Sequence, residues 1–289
     1  MSANEPERNG AAHDDEYRRL VEEAGLPPEA LPTDAFFTAN VDAELARAVA
    51  QAAGADADGD AAEAAAPQTS NQIQAARAAA RAAGETLAPL AIGVLVSGSG
   101  TNLQALIDRI ADGTLNARIA LVVASRPSAY GLKRAEAAGI QTLTLSKEVY
   151  ADPIAADEVI AHELLAAGVD YVIMAGYMRK VHAPLLATFP GRIINLHPAL
   201  LPSFPGAHGI QDAYDRGVKV TGVTVHIANA AYDQGPIIAQ EPVRVEEGWS
   251  VDELEAAIHA VEHRLYPEVV ELLAEGRVQV RENLTVAIS

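Results

Sequence analysis

Asn195 and His197 stand two residues apart at the end of an apolar run, in the segment INLHPALLPSFPG, residues 194–206. On an extended strand, residues i and i+2 point to the same face. An amide and an imidazole therefore project side by side where the strand stops. Pro198, Pro202 and Pro205 stiffen the exit. An imidazole can move a proton near neutral pH, and an amide can donate to a developing oxyanion. A carboxylate is the natural third partner, because it favours the charged imidazole. Asp233, in the loop NAAYDQGPII, can fold back to supply it. Asp233 reads equally as a turn residue, since Asp close to Gly is common turn chemistry. Asn, His and Asp with no Ser or Cys nucleophile suit acyl transfer to an amine that the substrate brings with it.

A second candidate is SGSGTN, residues 97–102. It joins a strand to a helix, and its glycines let backbone N–H groups approach an anion at the helix N-terminus. A phosphate-bearing small molecule is the preferred ligand. The dinucleotide fingerprint is incomplete, because Leu103 occupies the third glycine position. Ser125 and Arg126 stand where an acid would hold a ribose, so a 2′-phosphate and an NADP-linked enzyme remain an alternative. No Gly-Lys-Ser/Thr occurs, which excludes a Walker A loop.

These residues must be placed by strands and helices in alternation. From Leu90, the runs LAIGVLV, ARIALVVAS, QTLTLS, YVIMAG, RIINLH and VTGVTVHIA read as strands. NLQALIDRIADG, GLKRAEAAG, AADEVIAHELLAAG and HAPLLATF carry apolar residues at helical spacing. The pattern predicts an α/β fold with a doubly wound, mostly parallel sheet and helices on both faces. In SVDELEAAIHAVEHRLYPEVVELLAEG, Ser250 and Glu253 form a capping-box signature and Gly276 a stop. In such sheets ligands bind beyond the C-terminal strand ends. Those ends carry SGSGTN, the Ala175–Arg179 stretch, and the Asn195/His197 pair.

Residues 1–89 have another texture. They hold 6 Lys+Arg and 16 Asp+Glu, a net of −10, in an alanine-rich sequence poor in large apolar groups. They read as a low-complexity, largely disordered or loosely helical N-terminal arm ahead of a catalytic domain at 90–289. Asp14–Ala24, Val41–Ala53 and Asn71–Ala83 suit short helices, and Phe36 and Phe37 suit docking. The whole chain carries −18 and no cysteine. That excludes disulfides and thiolate chemistry and disfavours nucleic acid and anionic membranes. With no secretory signal and no apolar run of membrane-spanning length, a cytoplasmic location is expected.

The motifs SGSGTNLQALID, AGYMRKV, INLHPALLPSFPGAHG, KVTGVTVHIA, DQGPIIAQ and EHRLYP, in this order, resemble the phosphoribosylglycinamide formyltransferases from Leu90 to the C-terminus. The resemblance implies a Rossmann-like formyltransferase fold. It implies transfer of a formyl group from 10-formyltetrahydrofolate, a co-substrate, to the amine of glycinamide ribonucleotide in purine synthesis, without a metal. By match, Asn195, His197 and Asp233 are the catalytic trio: His197 donates the proton, Asp233 raises its pKa, and Asn195 holds the oxyanion and lies at the folate. Gly100, Thr101 and Asn102 match the nucleotide-contacting segment, and Glu262 a contact to the glycinamide amine. Met178, Arg179, Lys180 and Val181 match the folate-binding segment. The family's folate-contacting Arg has no counterpart, since its position falls near Pro153; Lys147 is a candidate substitute. His226 reads as a structural strand histidine and His208 as a candidate for lining the nucleotide site. The expected partners are small molecules, with a homodimer allowed. Two relatives share the trio. A formyltetrahydrofolate deformylase reads His-His-Ser where this chain has Leu196-His197-Pro198, and its N-terminal domain needs strands that the arm lacks. A methionyl-tRNA formyltransferase carries a basic C-terminal domain, which does not fit an acidic chain.

Overall fold

The computed structural model describes residues 67–147 and 149–289. The predicted helices Asp14–Ala24 and Val41–Ala53, and the docking of Phe36 and Phe37, fall outside these residues. A helix α1 (Ser70–Ala82) comes first, then β1 (Leu90–Val96), α2 (Thr101–Ala111), β2 (Ala117–Ala124), α3 (Tyr130–Ala137) and β3 (Thr142–Thr144). A 3₁₀ turn (Val149–Ala151) leads into α4 (Pro153–Ala166), β4 (Tyr171–Met174), α5 (Ala183–Thr188) and β5 (Ile193–His197). There follow α6 (Gly209–Arg216), β6 (Val220–Ile227), β7 (Ile237–Arg244), α7 (Val251–Ala274), β8 (Val278–Val280) and β9 (Val286–Ile288).

Seven strands form one sheet in the order β3-β2-β1-β4-β5-β6-β7. The pairs from β3 to β5 are parallel, and β5·β6 and β6·β7 are antiparallel. All seven residues of β1 are buried, as a central parallel strand with helices on both faces requires. Its side chains divide between two cores. Val94 and Val96 pack with Leu103, Leu106, Leu254 and Ile258 of α2 and α7. Leu95 packs on the other face with Ile160, Leu164 and Leu185 of α4 and α5. The chain turns from β1 towards β2 but from β4 towards β5, so the strand order reverses between β1 and β4. Such a switch point is where open α/β sheets bind ligands, in a crevice beyond the carboxyl ends of the strands.

The predicted doubly wound sheet is present, with two differences. The sequence after β6 predicts a loop through Ile238, yet β7 begins at Ile237. The motif GPII hid it, because Pro236 and Gly235 read as turn residues. Helix α6 carries no helical signature in sequence, since GIQDAYDR has few apolar residues; only Gly209 and Ala213 are buried. The compact unit begins at Gln68, and the helix predicted over Asn71–Ala83 forms within it as α1. Helix α1 has only one large apolar anchor, Ile73, and its packing is carried by polar groups that composition does not flag. The long helix α7 starts on the expected Ser250–Glu253 capping box and stops before Gly276, whose φ is +69°.

Candidate active site

The parallel register brings the ends of β1, β4 and β5 to one edge: Leu95 pairs with Met174, and Met174 with Asn195. Along β5, Ile193, Asn195 and His197 share a face. His226 of β6 is the direct cross-strand partner of Asn195. The loop between β6 and β7 brings Asp233 back onto this row. Asp233 adopts φ 55°, a left-handed conformation that Asp tolerates better than most residues. Gly235 is indispensable to the turn, since a Cβ there would lie 1.7 Å from the Ile227 carbonyl oxygen.

The trio expected from the motifs meets in space. His197 Nδ1 lies 3.5 Å from Asp233 Oδ2, and both side chains are buried. Gly206 donates its N–H to the same oxygen at 2.8 Å. His197 Nε2 faces the Phe204 carbonyl at 2.7 Å. A carbonyl only accepts, so Nε2 carries a proton. Both ring nitrogens thus face acceptors, and the imidazole is 3% exposed.

His226, the expected structural strand histidine, is buried and hydrogen-bonded on both ring nitrogens. Its Nδ1 donates to the Ile227 carbonyl at 3.1 Å, and its Nε2 lies 3.2 Å from Asn195 Nδ2. Burial pushes the His226 pKa below the ordinary histidine value, which keeps the ring neutral. With Nδ1 protonated, Nε2 can only accept. The Asn195 NH₂ must therefore face it, and the second N–H of that amide is left to donate elsewhere. The signal that could have found this role is the β5·β6 register, which sequence periodicity does not reveal.

The SGSGTN turn enters α2 through Gly100, whose φ is +70°. A Cβ there would lie 2.6 Å from Gly131 Cα, so the two backbones approach as only glycines permit. Asn102 in the first turn donates from Nδ2 to Glu262 Oε2 at 2.9 Å. Its Oδ1 is buried without a partner. Glu262 is 4% exposed, far from the solvated helix carboxylate that its surroundings in sequence suggest. Burial raises its pKa, opposed by the Asn102 hydrogen bond and the His259 charge. A carboxyl whose folded pKa is raised is most stabilising below its unfolded pKa, and that stability is lost as pH rises through the folded value. Glu262→Gln is therefore expected to raise Tm at neutral pH, with the difference from the parent protein vanishing in acid. Thermal melts of both proteins between pH 4 and 8 check this; a Tm difference independent of pH would contradict it.

Met178, Arg179 and Lys180 are exposed after β4, and Val181 is half-buried. Met178, 77% exposed, is the barest large apolar residue among those described. The Arg179 guanidinium lies 3.9 Å from the centre of the Tyr150 ring, and Lys180 sits over Tyr232. Pro153 opens α4, capped by the Asp152 side chain. The cation that meets this 150s segment is thus Arg179; Lys147 is exposed on the preceding turn. His208 is exposed at the start of α6. Among the described residues, no three His, Asp or Glu side chains are grouped to hold a metal, and no helix is long and apolar enough to cross a membrane.

The formyl transferase family profile matches residues 90–270. The chain belongs to the formyl transferase family. It is similar to the phosphoribosylglycinamide formyltransferase of Bacillus subtilis (strain 168), 38% identical over 180 residues, which cover 62% of this chain and 92% of the relative. It is also 38% identical over 192 residues to the human trifunctional purine biosynthetic protein adenosine-3, across 66% of this chain. There the match spans only 19% of the relative's length. Among solved structures, glycinamide ribonucleotide transformylase 1 from Symbiobacterium toebii superposes with a TM-score of 0.68 at 47% identity, covering 71% of this chain and 98% of that one. The matched family region contains every site residue described above.

Proposed function

We propose that the protein transfers the formyl group of 10-formyltetrahydrofolate to the amine of glycinamide ribonucleotide, giving formylglycinamide ribonucleotide and tetrahydrofolate, a step of purine synthesis. The observation that carries this reading is the combination, on one family scaffold, of an imidazole–carboxylate–amide cluster with the buried acceptors Asn102 Oδ1 and Glu262. Such acceptors fit an N–H donor, so the nucleophile enters as a substrate amine. Backbone N–H groups of Gly100, Thr101 and Asn102 suit the substrate phosphate at the head of α2. Met178, Arg179, Lys180 and Val181 line the folate side, with Asn195 between the two ligands.

In the step itself, the amine lone pair forms a bond to the formyl carbon while the carbonyl electrons move to its oxygen. The free N–H of Asn195 and the Nε2 proton of His197 stabilise that oxyanion. For this, Nε2 exchanges the Phe204 carbonyl for the substrate oxygen, and Asp233 holds the proton on Nδ1. Collapse restores the carbonyl and breaks the bond to folate N10. The proton leaving the attacking amine ends on N10, relayed by His197. The test is an absorbance assay for tetrahydrofolate with purified protein and 10-formyltetrahydrofolate. Product is expected only when glycinamide ribonucleotide is added. Equal product without it would mean hydrolysis of the folate, and would overturn the assignment of the Gly100–Asn102 turn.

A further inference from the structure

The loop after β1 and the loop after β4 flank the crevice, and one buried side chain ties them together. Ser97, 3% exposed, is the first residue of the SGSGTN turn. Its N–H donates to the Gly176 carbonyl at 3.2 Å. Its hydroxyl oxygen accepts the Met178 N–H at 2.9 Å, so both ends of the Gly176–Met178 stretch are held by this one residue. Ser125, itself 8% exposed, donates its O–H to Ser97 Oγ at 2.7 Å and fixes that rotamer. Arg126 Nε donates to the Ser97 carbonyl at 2.6 Å. The far end of the β4 loop is anchored separately: the His182 N–H donates to the buried Asp157 carboxylate at 2.5 Å. With that end pinned on α4, the bond from the Met178 N–H to Ser97 Oγ links the β4 loop to the turn that leads into α2.

We infer that Ser97 is a positioning residue that couples the two ligand sites, so that ordering one loop around its ligand orders the other. This rests on the reading that Gly100–Asn102 hold the nucleotide and Met178–Val181 the folate. Ser97 touches neither reacting atom; it acts through the Met178 amide. The energetic content is one buried hydrogen bond shared between two loops, enough for a coupling of several-fold.

Glycinamide ribonucleotide and tetrahydrofolate form a pair that cannot react, since no formyl group is present. Calorimetric titration of tetrahydrofolate with and without saturating glycinamide ribonucleotide measures the coupling directly. The parent protein is expected to bind tetrahydrofolate about fivefold more tightly when the nucleotide is present. In Ser97→Ala the ratio should fall below about twofold, whereas Ser97→Thr, which keeps the hydroxyl, should restore it. If Ser97→Ala is not recovered folded, Ser97→Cys replaces the strong acceptor by a weak one of similar shape and should show the same loss. A parent ratio of one, or an unchanged ratio in the Ala or Cys variant, overturns the proposal. If the parent protein binds neither ligand, the transferase reading itself fails, and the coupling with it.

Discussion

His197→Ala is expected to lower kcat by about 10³-fold while leaving the KM of each substrate within a few-fold. A positioned acid–base group contributes about 10²–10⁴-fold, and loss of an oxyanion donor acts in the same direction. The two effects do not add fully, because one imidazole proton serves both. The structure explains why substrate affinity should be spared. His197 is 3% exposed, and both ring nitrogens are engaged by Phe204 and Asp233, so the side chain adds little contact area to the crevice. Steady-state kinetics on the purified variant, with its Tm measured alongside, makes the check. A folded variant that keeps more than a tenth of the parent kcat would remove His197 from the mechanism.

The second large effect concerns stability. A chain beginning at Leu90 is expected to be less stable than one beginning at Gln68 by about 3 kcal/mol or more. Helix α1 supplies partners that buried groups elsewhere cannot replace. Gln74 donates to the Tyr171 hydroxyl at 3.1 Å and the Leu273 carbonyl at 3.0 Å, and accepts the Val278 N–H at 3.0 Å. Ser70 shares a 2.8 Å bond with the same tyrosine, which is fully buried. Arg77 donates to the Ala274 carbonyl, and Asn71 pairs with both backbone groups of Val280. Ala274 ends α7, so Arg77 satisfies a carbonyl that the helix leaves open, while Gln74 adds a second donor to the Leu273 carbonyl. Each buried group left unpaired costs about 1–3 kcal/mol, and loss of Ile73 from the core adds to it. Urea unfolding of the two truncated proteins gives the difference; equal midpoints would show that α1 is dispensable.

Much of this protein is legible in its residues taken in order. Apolar runs of strand length, alternating with helical spacing, define the parallel half of the sheet without reference to any distant contact. Ser250 and Glu253 announce the start of α7 because a capping box is a local arrangement, complete within four residues. The i, i+2 spacing of Asn195 and His197 puts them on one face for the same reason. The trio and the Gly100 turn are also carried by motif order, and the fold sets His197 against Asp233.

What only tertiary structure decided is what depends on partners far away in sequence. His226 became the acceptor for Asn195 through antiparallel pairing with β5, and nothing in VTVHIA announces that register. Glu262 lies on a charged helix, yet the approach of α2 buries it against Asn102, 160 residues earlier. Ser97 looks like any serine in a glycine-rich turn until β4 delivers the Met178 N–H to its hydroxyl. Helix α1 reads as part of an alanine-rich arm because hydrophobic content marks a core, whereas its hold on the fold is polar. Local propensity and periodicity encode which elements form and which side chains share a face. Long-range hydrogen bonds are encoded by no single segment, since each needs a donor and an acceptor that only the folded chain places within about 3 Å of each other.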